Sequence, residues 1–162
     1  LSVGSPGATT DGGISVELLR QAGLEMTAVG CNGATEVKSQ LLGGHIDVGA
    51  LSVSDVLPIM GDGQIMVVGI CSEEPSEMLP DVSTFKELGY DVVWSTSRGY
   101  SLKAGTDERI VQYWSDLIAE VSENEDYQTE LGNIGCAVAV MDKDEYAAHV
   151  TETFETIREI LG

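Results

Sequence analysis

The 162-residue chain carries eight Lys and Arg against 27 Asp and Glu, a formal net charge of −19. So few cations cannot release counterions from a nucleic-acid backbone or hold an anionic membrane surface, and neither partner is expected. A hydrophobic fraction of 43% suits one compact domain with a real core, or one lobe plus an extension. No apolar run approaches the roughly 20 residues of a membrane-spanning helix, so no direct membrane insertion is expected. Residues 76–162 hold 18 of the 27 acids, the pattern of a solvated helical surface or, more sharply, of adaptation to high salt.

Along the chain, short apolar runs alternate with helical stretches. Leu1–Gly4 reads as the end of a strand, and Asp11–Ala22 as a helix with Ile14, Leu18, Leu19 and Ala22 on one face, closed by Gly23. Met26–Cys31 is a second strand, Ala34–Leu42 a second helix before Gly43-Gly44, and Ile46–Leu51 a third strand. Val53–Met60 is a short helix and Ile65–Cys71 a fully apolar fourth strand. This rhythm predicts an α/β fold: a mostly parallel sheet with helices on both faces. Ser72–Asp81, with Pro75 and Pro80, breaks it as a surface excursion. Thr84–Leu88 reads as a helical turn, and Asp91–Ser95 and Tyr100–Lys103 as extended crossover segments. Asp107–Val121 is an amphipathic helix, Tyr127–Leu131 continues helical, Cys136–Met141 is a strand and Asp144–Leu161 a closing helix. The division expected is an α/β ligand-binding lobe over 1–96 and a crossover with C-terminal helices over 97–162.

The segment Gly4-Ser5-Pro6-Gly7-Ala8-Thr9-Thr10-Asp11 joins a strand to a helix start. Free backbone N–H groups and the positive end of a helix dipole make such a junction suited to a carboxylate or phosphate. Ser5, Pro6, Gly7, Thr9, Thr10 and Asp11 are therefore candidate ligand contacts, the alternative being that Thr10 or Asp11 only caps the helix. Asp11 opposes a simple anion unless it is the cap or meets an amino group on the ligand. The loop lacks the Lys of a Walker motif and the spacing of a dinucleotide fingerprint, so no cofactor is expected. Asn32 follows the second strand, and Ser52 and Ser54 the third, at the same edge of a parallel sheet, where ligands bind; as isolated residues they are also common turn formers. Arg98, the only basic residue between Lys86 and Lys103, could clamp a carboxylate bidentately or serve in a salt bridge.

Nothing points to catalysis. His45 and His149 stand in polar surroundings, no nucleophile elbow or metalloprotease motif occurs, and no carboxylate lies within an apolar run. Cys31, Cys71 and Cys136 show no metal-ligand spacing and read as buried thiols, and Trp94 and Trp114 as core residues. A small α/β enzyme using the same glycine-rich edge and the ligand-sensing domain of a regulator are the alternatives to a binding protein.

Several of these stretches resemble the tripartite tricarboxylate transporter substrate-binding proteins, the Bug receptors. The likeness runs through Gly4-Ser5-Pro6-Gly7 with Glu17-Leu18-Leu19, and Gln40-Leu41-Leu42-Gly43-Gly44-His45-Ile46-Asp47. It continues in Leu79-Pro80-Asp81-Val82-Ser83-Thr84-Phe85-Lys86-Glu87-Leu88-Gly89, then Arg98-Gly99 and Ala104-Gly105-Thr106. The resemblance implies a type II periplasmic-binding fold, in which two α/β lobes close over a small carboxylate, and an extracytoplasmic receptor serving membrane permease subunits. It also implies that this chain is the second lobe with the crossover and C-terminal helices, the opening of the first lobe preceding Leu1. Thr9, Thr10 and Gly13 stand where relatives tend to carry a Gly-Ser pair and a His, and Ser97 where a Trp is frequent, so the ligand stays open.

Overall fold

Because a parallel strand needs a crossover to reach its neighbour, the βα alternation fixes the architecture before any packing is considered. The computed structural model describes residues 1–61 and 63–162. They form two compact units, Leu1–Thr96 and Ser97–Gly162.

In the first unit, β1 (Ser2–Ser5), α1 (Asp11–Gln21), β2 (Thr27–Gly30), α2 (Ala34–Leu42), β3 (Val48–Gly49) and α3 (Val53–Met60) follow in order. The sheet order is β2-β1-β3, with Ser2 opposite Thr27 and Val3 opposite Val48, all parallel. The chain steps from β1 to β2 and then back past β1 to β3. Right-handed crossovers therefore place α1 and α2 on opposite faces. On the α2 face, Val37, Cys31 and Ile46 form a buried cluster flanked by Val29, Leu41 and Leu51. Gly4 has no room for more there, since a Cβ would come within 2.5 Å of the Ile46 side chain. Strand alternation turns Val3 to the other face. There α1 buries Ile14, Val16 and Leu19. Val16 replaces Leu18 and Ala22 of the expected stripe, which are half-buried and exposed. Ahead of the ladder, Asp47 clips the sheet: its carboxylate accepts from the Ser2 N–H at 2.7 Å and hydroxyl at 2.8 Å.

Two expected strands do not form ladders among the described residues. Ile65–Cys71 has the β-branched, apolar composition of a strand, but its one bridge is Ile70 to Thr84, with Met66 81% exposed. Cys136–Met141 pairs with nothing, and Val138 and Val140 are exposed. Composition supplies the tendency, but a strand exists only when a neighbouring backbone satisfies its ladder. The Thr84–Leu88 turn is closed by reciprocal bonds, Thr84 N–H to Glu87 Oε2 at 2.9 Å and Glu87 N–H to Thr84 Oγ1 at 3.0 Å, the Thr-x-x-Glu capping pattern.

The second unit contains α4 (Glu108–Ser122), α5 (Glu125–Asn133) and α6 (Lys143–Leu161). Asp142 caps α6 in a full capping box with Glu145. Among the described residues, every buried apolar side chain belongs to the first unit, and the second buries only Ser122. Trp114, expected in the core, is 38% exposed and stacks on Tyr100 with ring centroids 6.1 Å apart, because this unit lays no apolar layer over that face of α4. Trp94, in the first unit, is half-buried, with its indole N–H enclosed and lacking an acceptor among the described residues. Of the free cysteines, Cys31 is buried and Cys71 and Cys136 half-buried. Burial pushes the Cys71 thiol up to about 11.

Candidate functional site

Parallel strands end together, so the loops after β1, β2 and β3 share one edge of the sheet. Ladder bonds extend past the strands and hold them there: Cys31 N–H donates to Ser5 O at 2.9 Å, and Ala50 N–H to Gly4 O at 2.8 Å. Each loop leads straight into a helix, bringing the starts of α1, α2 and α3 to the same edge.

The first loop is tightly built. Gly7 has φ +147°, in the region that favours glycine, and its carbonyl accepts from Thr10 N–H at 3.2 Å and Thr10 Oγ1 at 2.8 Å. Thr10 is the helix cap, its hydroxyl accepting from Gly13 N–H at 3.3 Å. The loop folds back on α1 so closely that a Cβ on Gly13 would lie 2.1 Å from Gly7 O, and one on Gly12 2.6 Å from Ala50 O. Gly12 and Gly13 thus shape the site, a role that only these non-bonded contacts reveal. Thr9 and Asp11 are exposed, Pro6 is half-buried, and Ser5 is 4% exposed. Ser5 lies low in the loop, but its hydroxyl is not a buried atom left without a partner.

At the second loop, Gly33 caps α2 with φ 94° and no side-chain bond. Asn32 is exposed and its N–H is taken by Glu36 Oε2 at 2.6 Å. At the third, Ser52 Oγ donates to Asp55 Oδ2 at 2.7 Å and lies 3.2 Å from Ser54 Oγ. Lys38 Nζ reaches Asp55 at 3.1 Å. Burial works against the Asp55 charge, but the Ser52 hydroxyl and Lys38 hold its carboxyl below the usual range. Glu36, Lys38 and Asp55 are participants the sequence did not single out; their acids stand three places into a helix, the one available signal.

The structure therefore brings Ser5, Pro6, Gly7, Thr9, Thr10, Asp11, Asn32, Ser52 and Ser54 to one edge, with the Thr10 and Ser52 hydroxyls already donating within the chain. The N–H groups of Asp11, Gly12, Ala34, Thr35, Val53 and Ser54 have no acceptor among the described residues. Free first-turn amides at three helix starts favour an anion, each end carrying about half a positive charge. Arg98 belongs to the second unit, where its Nη1 donates to Cys136 Sγ at 3.9 Å and it makes no salt bridge among the described residues. An open hollow of about 590 Å³ lies at the other end of the sheet, lined by Leu1, Arg20, Leu24 and Thr27. It contains the Glu17–Arg20 ion pair. No group of residues suited to a metal ion occurs among the described residues.

An open parallel sheet with donors gathered at its strand ends defines an α/β lobe suited to holding a ligand at that edge. Over residues 1–162 the chain matches the Tripartite tricarboxylate transporter family receptor, and it belongs to that family. It is 28% identical to the Cupriavidus necator "UPF0065 protein in gbd 5'region" over 165 residues, 99% of this chain and 49% of that protein. A TctC solute-binding protein from Polaromonas, solved with no ligand, superposes with a TM-score of 0.81 at 20% identity, covering 99% of this chain and 56% of that one. An R. palustris protein solved with adipate gives 0.79 at 20% identity, with coverage of 99% and 55%. MatC from Rhodopseudomonas palustris, solved with bound malate, gives 0.72 at 19% identity, with coverage of 100% and 57%. The chain spans about half the length of these relatives.

Proposed function

We propose that this chain is the ligand-binding half of an extracytoplasmic solute receptor that captures a small carboxylate for a tripartite tricarboxylate-type secondary transporter. The observation that carries this is the convergence of unpartnered first-turn amides from α1, α2 and α3 on one sheet edge. Such groups stabilise a carboxylate without a counter-cation. Adipate and malate in the family's solved members fit that chemistry. Residues 1–96 act as the ligand lobe, and 97–162 as the crossover and helical segment. Permease subunits are the transport partners and the periplasm is the working compartment. The chain works as a receptor and not an enzyme, a reading supported by the receptor family it belongs to and by the solute-binding protein it superposes on.

Amide-resolved NMR titration of the 162-residue chain with malate and adipate tests this. The amides of Asp11, Gly12, Ala34 and Val53 should move together and saturate. Ligand-independent spectra at those positions at tens of millimolar, about 2–3 kcal/mol of binding energy, would remove the basis for a carboxylate site.

A further inference from the structure

The chain has three asparagines, Asn32, Asn124 and Asn133, and the fold treats them differently. Asn124 caps α5, its side-chain oxygen accepting from Tyr127 N–H at 2.9 Å. Asn133 ends α5 and is followed by the β-branched Ile134. Asn32 stands exposed in the loop between β2 and α2, its side chain making no hydrogen bond among the described residues. The residue after it is Gly33. An asparagine amide is open to attack by the next main-chain nitrogen, and glycine obstructs that approach least because it has no Cβ. Gly33 N–H has no acceptor among the described residues, and nothing lies within 4 Å of where a Cβ on Gly33 would sit. The loop is held around these atoms: Cys31 N–H donates to Ser5 O, Asn32 N–H to Glu36 Oε2, and Val37 N–H to Gly33 O. No hydrogen bond among the described residues has to break for the Asn32 side chain to meet Gly33 N.

We infer that Asn32 is a site of spontaneous covalent modification, at which Gly33 N displaces the side-chain amide nitrogen. Gly33 N gives its proton to solvent base and bonds to Asn32 Cγ. The amide nitrogen takes up a proton and leaves as ammonia, which closes a five-membered succinimide. Water then opens the ring, with no oxidant or reductant involved. Addition at Cγ restores the ordinary main chain and leaves an aspartyl side chain. Addition at the Asn32 main-chain carbonyl sends the chain through Cβ and Cγ, an isoaspartyl linkage that lengthens the loop by one methylene. Either product adds a negative charge next to Glu36 and to the open Ala34 and Thr35 amides. A charge placed there opposes an incoming carboxylate, so affinity falls as the protein ages. That consequence for binding rests on the receptor reading above; the modification itself does not.

The test incubates the chain at mildly alkaline pH, folded and in guanidinium chloride, and maps its peptides by mass spectrometry with isoaspartyl methyltransferase labelling. In the folded chain the Asn32 peptide should gain the mass of an amide-to-acid exchange at a rate within a few-fold of the unfolded chain. The Asn124 and Asn133 peptides should stay unchanged over the same time, as should position 32 in Asn32→Gln, whose closure needs a larger ring. Conversion confined to the unfolded sample, or no faster at Asn32 than at the other two, overturns the inference. In NMR titration with malate, the aged chain should half-saturate the Ala34 amide at about fivefold higher concentration than the fresh chain. Equal half-saturation after full conversion overturns the loss of affinity. A fresh chain whose edge amides ignore malate sinks the receptor reading, while the peptide masses still decide the modification.

Discussion

Replacing a helical glycine by alanine ordinarily stabilises by about 1 kcal/mol, because alanine loses less backbone freedom on folding. Gly13 in α1 should reverse that sign. Its added Cβ would lie 2.1 Å from Gly7 O, 2.6 Å from Ala8 O and 2.7 Å from Ala8 C, all backbone atoms that no rotamer change can clear. The loop 7–9 must shift away from α1, at an overpacking cost of about 1–3 kcal/mol, which cancels the usual gain and leaves a net loss of up to about 2 kcal/mol. Urea unfolding should be followed through Trp94 in a Trp114→Phe background, so that the signal reports the first unit alone. Gly132→Ala in α5, where a Cβ meets nothing within 4 Å, is the opposite case and should gain a few tenths to 1 kcal/mol, read by helical circular dichroism. An unchanged or raised urea midpoint for Gly13→Ala would mean that the loop is not pinned by this contact, and the geometry described for the site would be wrong.

Carboxylate binding in the receptor completed with its other half should fall for Arg98→Ala more than for Arg98→Lys if a bidentate clamp is formed; equal, parental affinities in calorimetry would leave Arg98 a structural role only. The isolated chain should bind malate or adipate no tighter than about millimolar, because half of an enclosing receptor leaves the ligand wet, and a micromolar Kd would show the other half to be dispensable. Asp55 has a depressed folded-state pKa, so its stabilisation is present above the ordinary carboxylate value and is lost as pH falls through the depressed one. The stability difference between the native chain and Asp55→Asn should hold steady from about pH 6 to 8 and shrink below about pH 4; a constant difference down to acid unfolding contradicts this. At −19, the melting temperature should rise with KCl as self-repulsion is screened, and a flat response would set the acidic surface aside as a source of instability.

The α/β alternation was legible because its punctuation is local. Thr10 before α1, Gly23 and Gly43-Gly44 after helices, and the βα rhythm through Met60 need no knowledge of distant residues. Ile65–Cys71 and Cys136–Met141 were over-read for the converse reason, since strand status depends on a partner that composition does not name. The site was legible as a place, because parallel strand ends must meet at one edge. Which hydroxyls are free was not. Thr10 and Ser52 looked like donors until Gly7 O and Asp55 were seen to accept from them. The Lys38–Asp55 pair bridges 17 positions, and the importance of Gly13 lies wholly in non-bonded contact. Class came mostly from the resemblance, since glycine-rich edges serve many functions.

The second unit's lack of buried apolar side chains bears on how such a polypeptide survives in a cell. Val140, Phe154 and Tyr113 are 51%, 61% and 63% exposed, displayed much as unfolded chains display them to quality-control machinery. Recognition of that kind acts on exposed hydrophobic residues in segments that open locally. Until something covers those faces, Ser97–Gly162 would be handled as a client by holdases and clipped by proteases wherever its helices open, while Leu1–Thr96 resists. Limited proteolysis would then leave a band ending near Thr96, and the abundance of the whole chain would follow how quickly its exposed faces are covered more than how stable its sheet is.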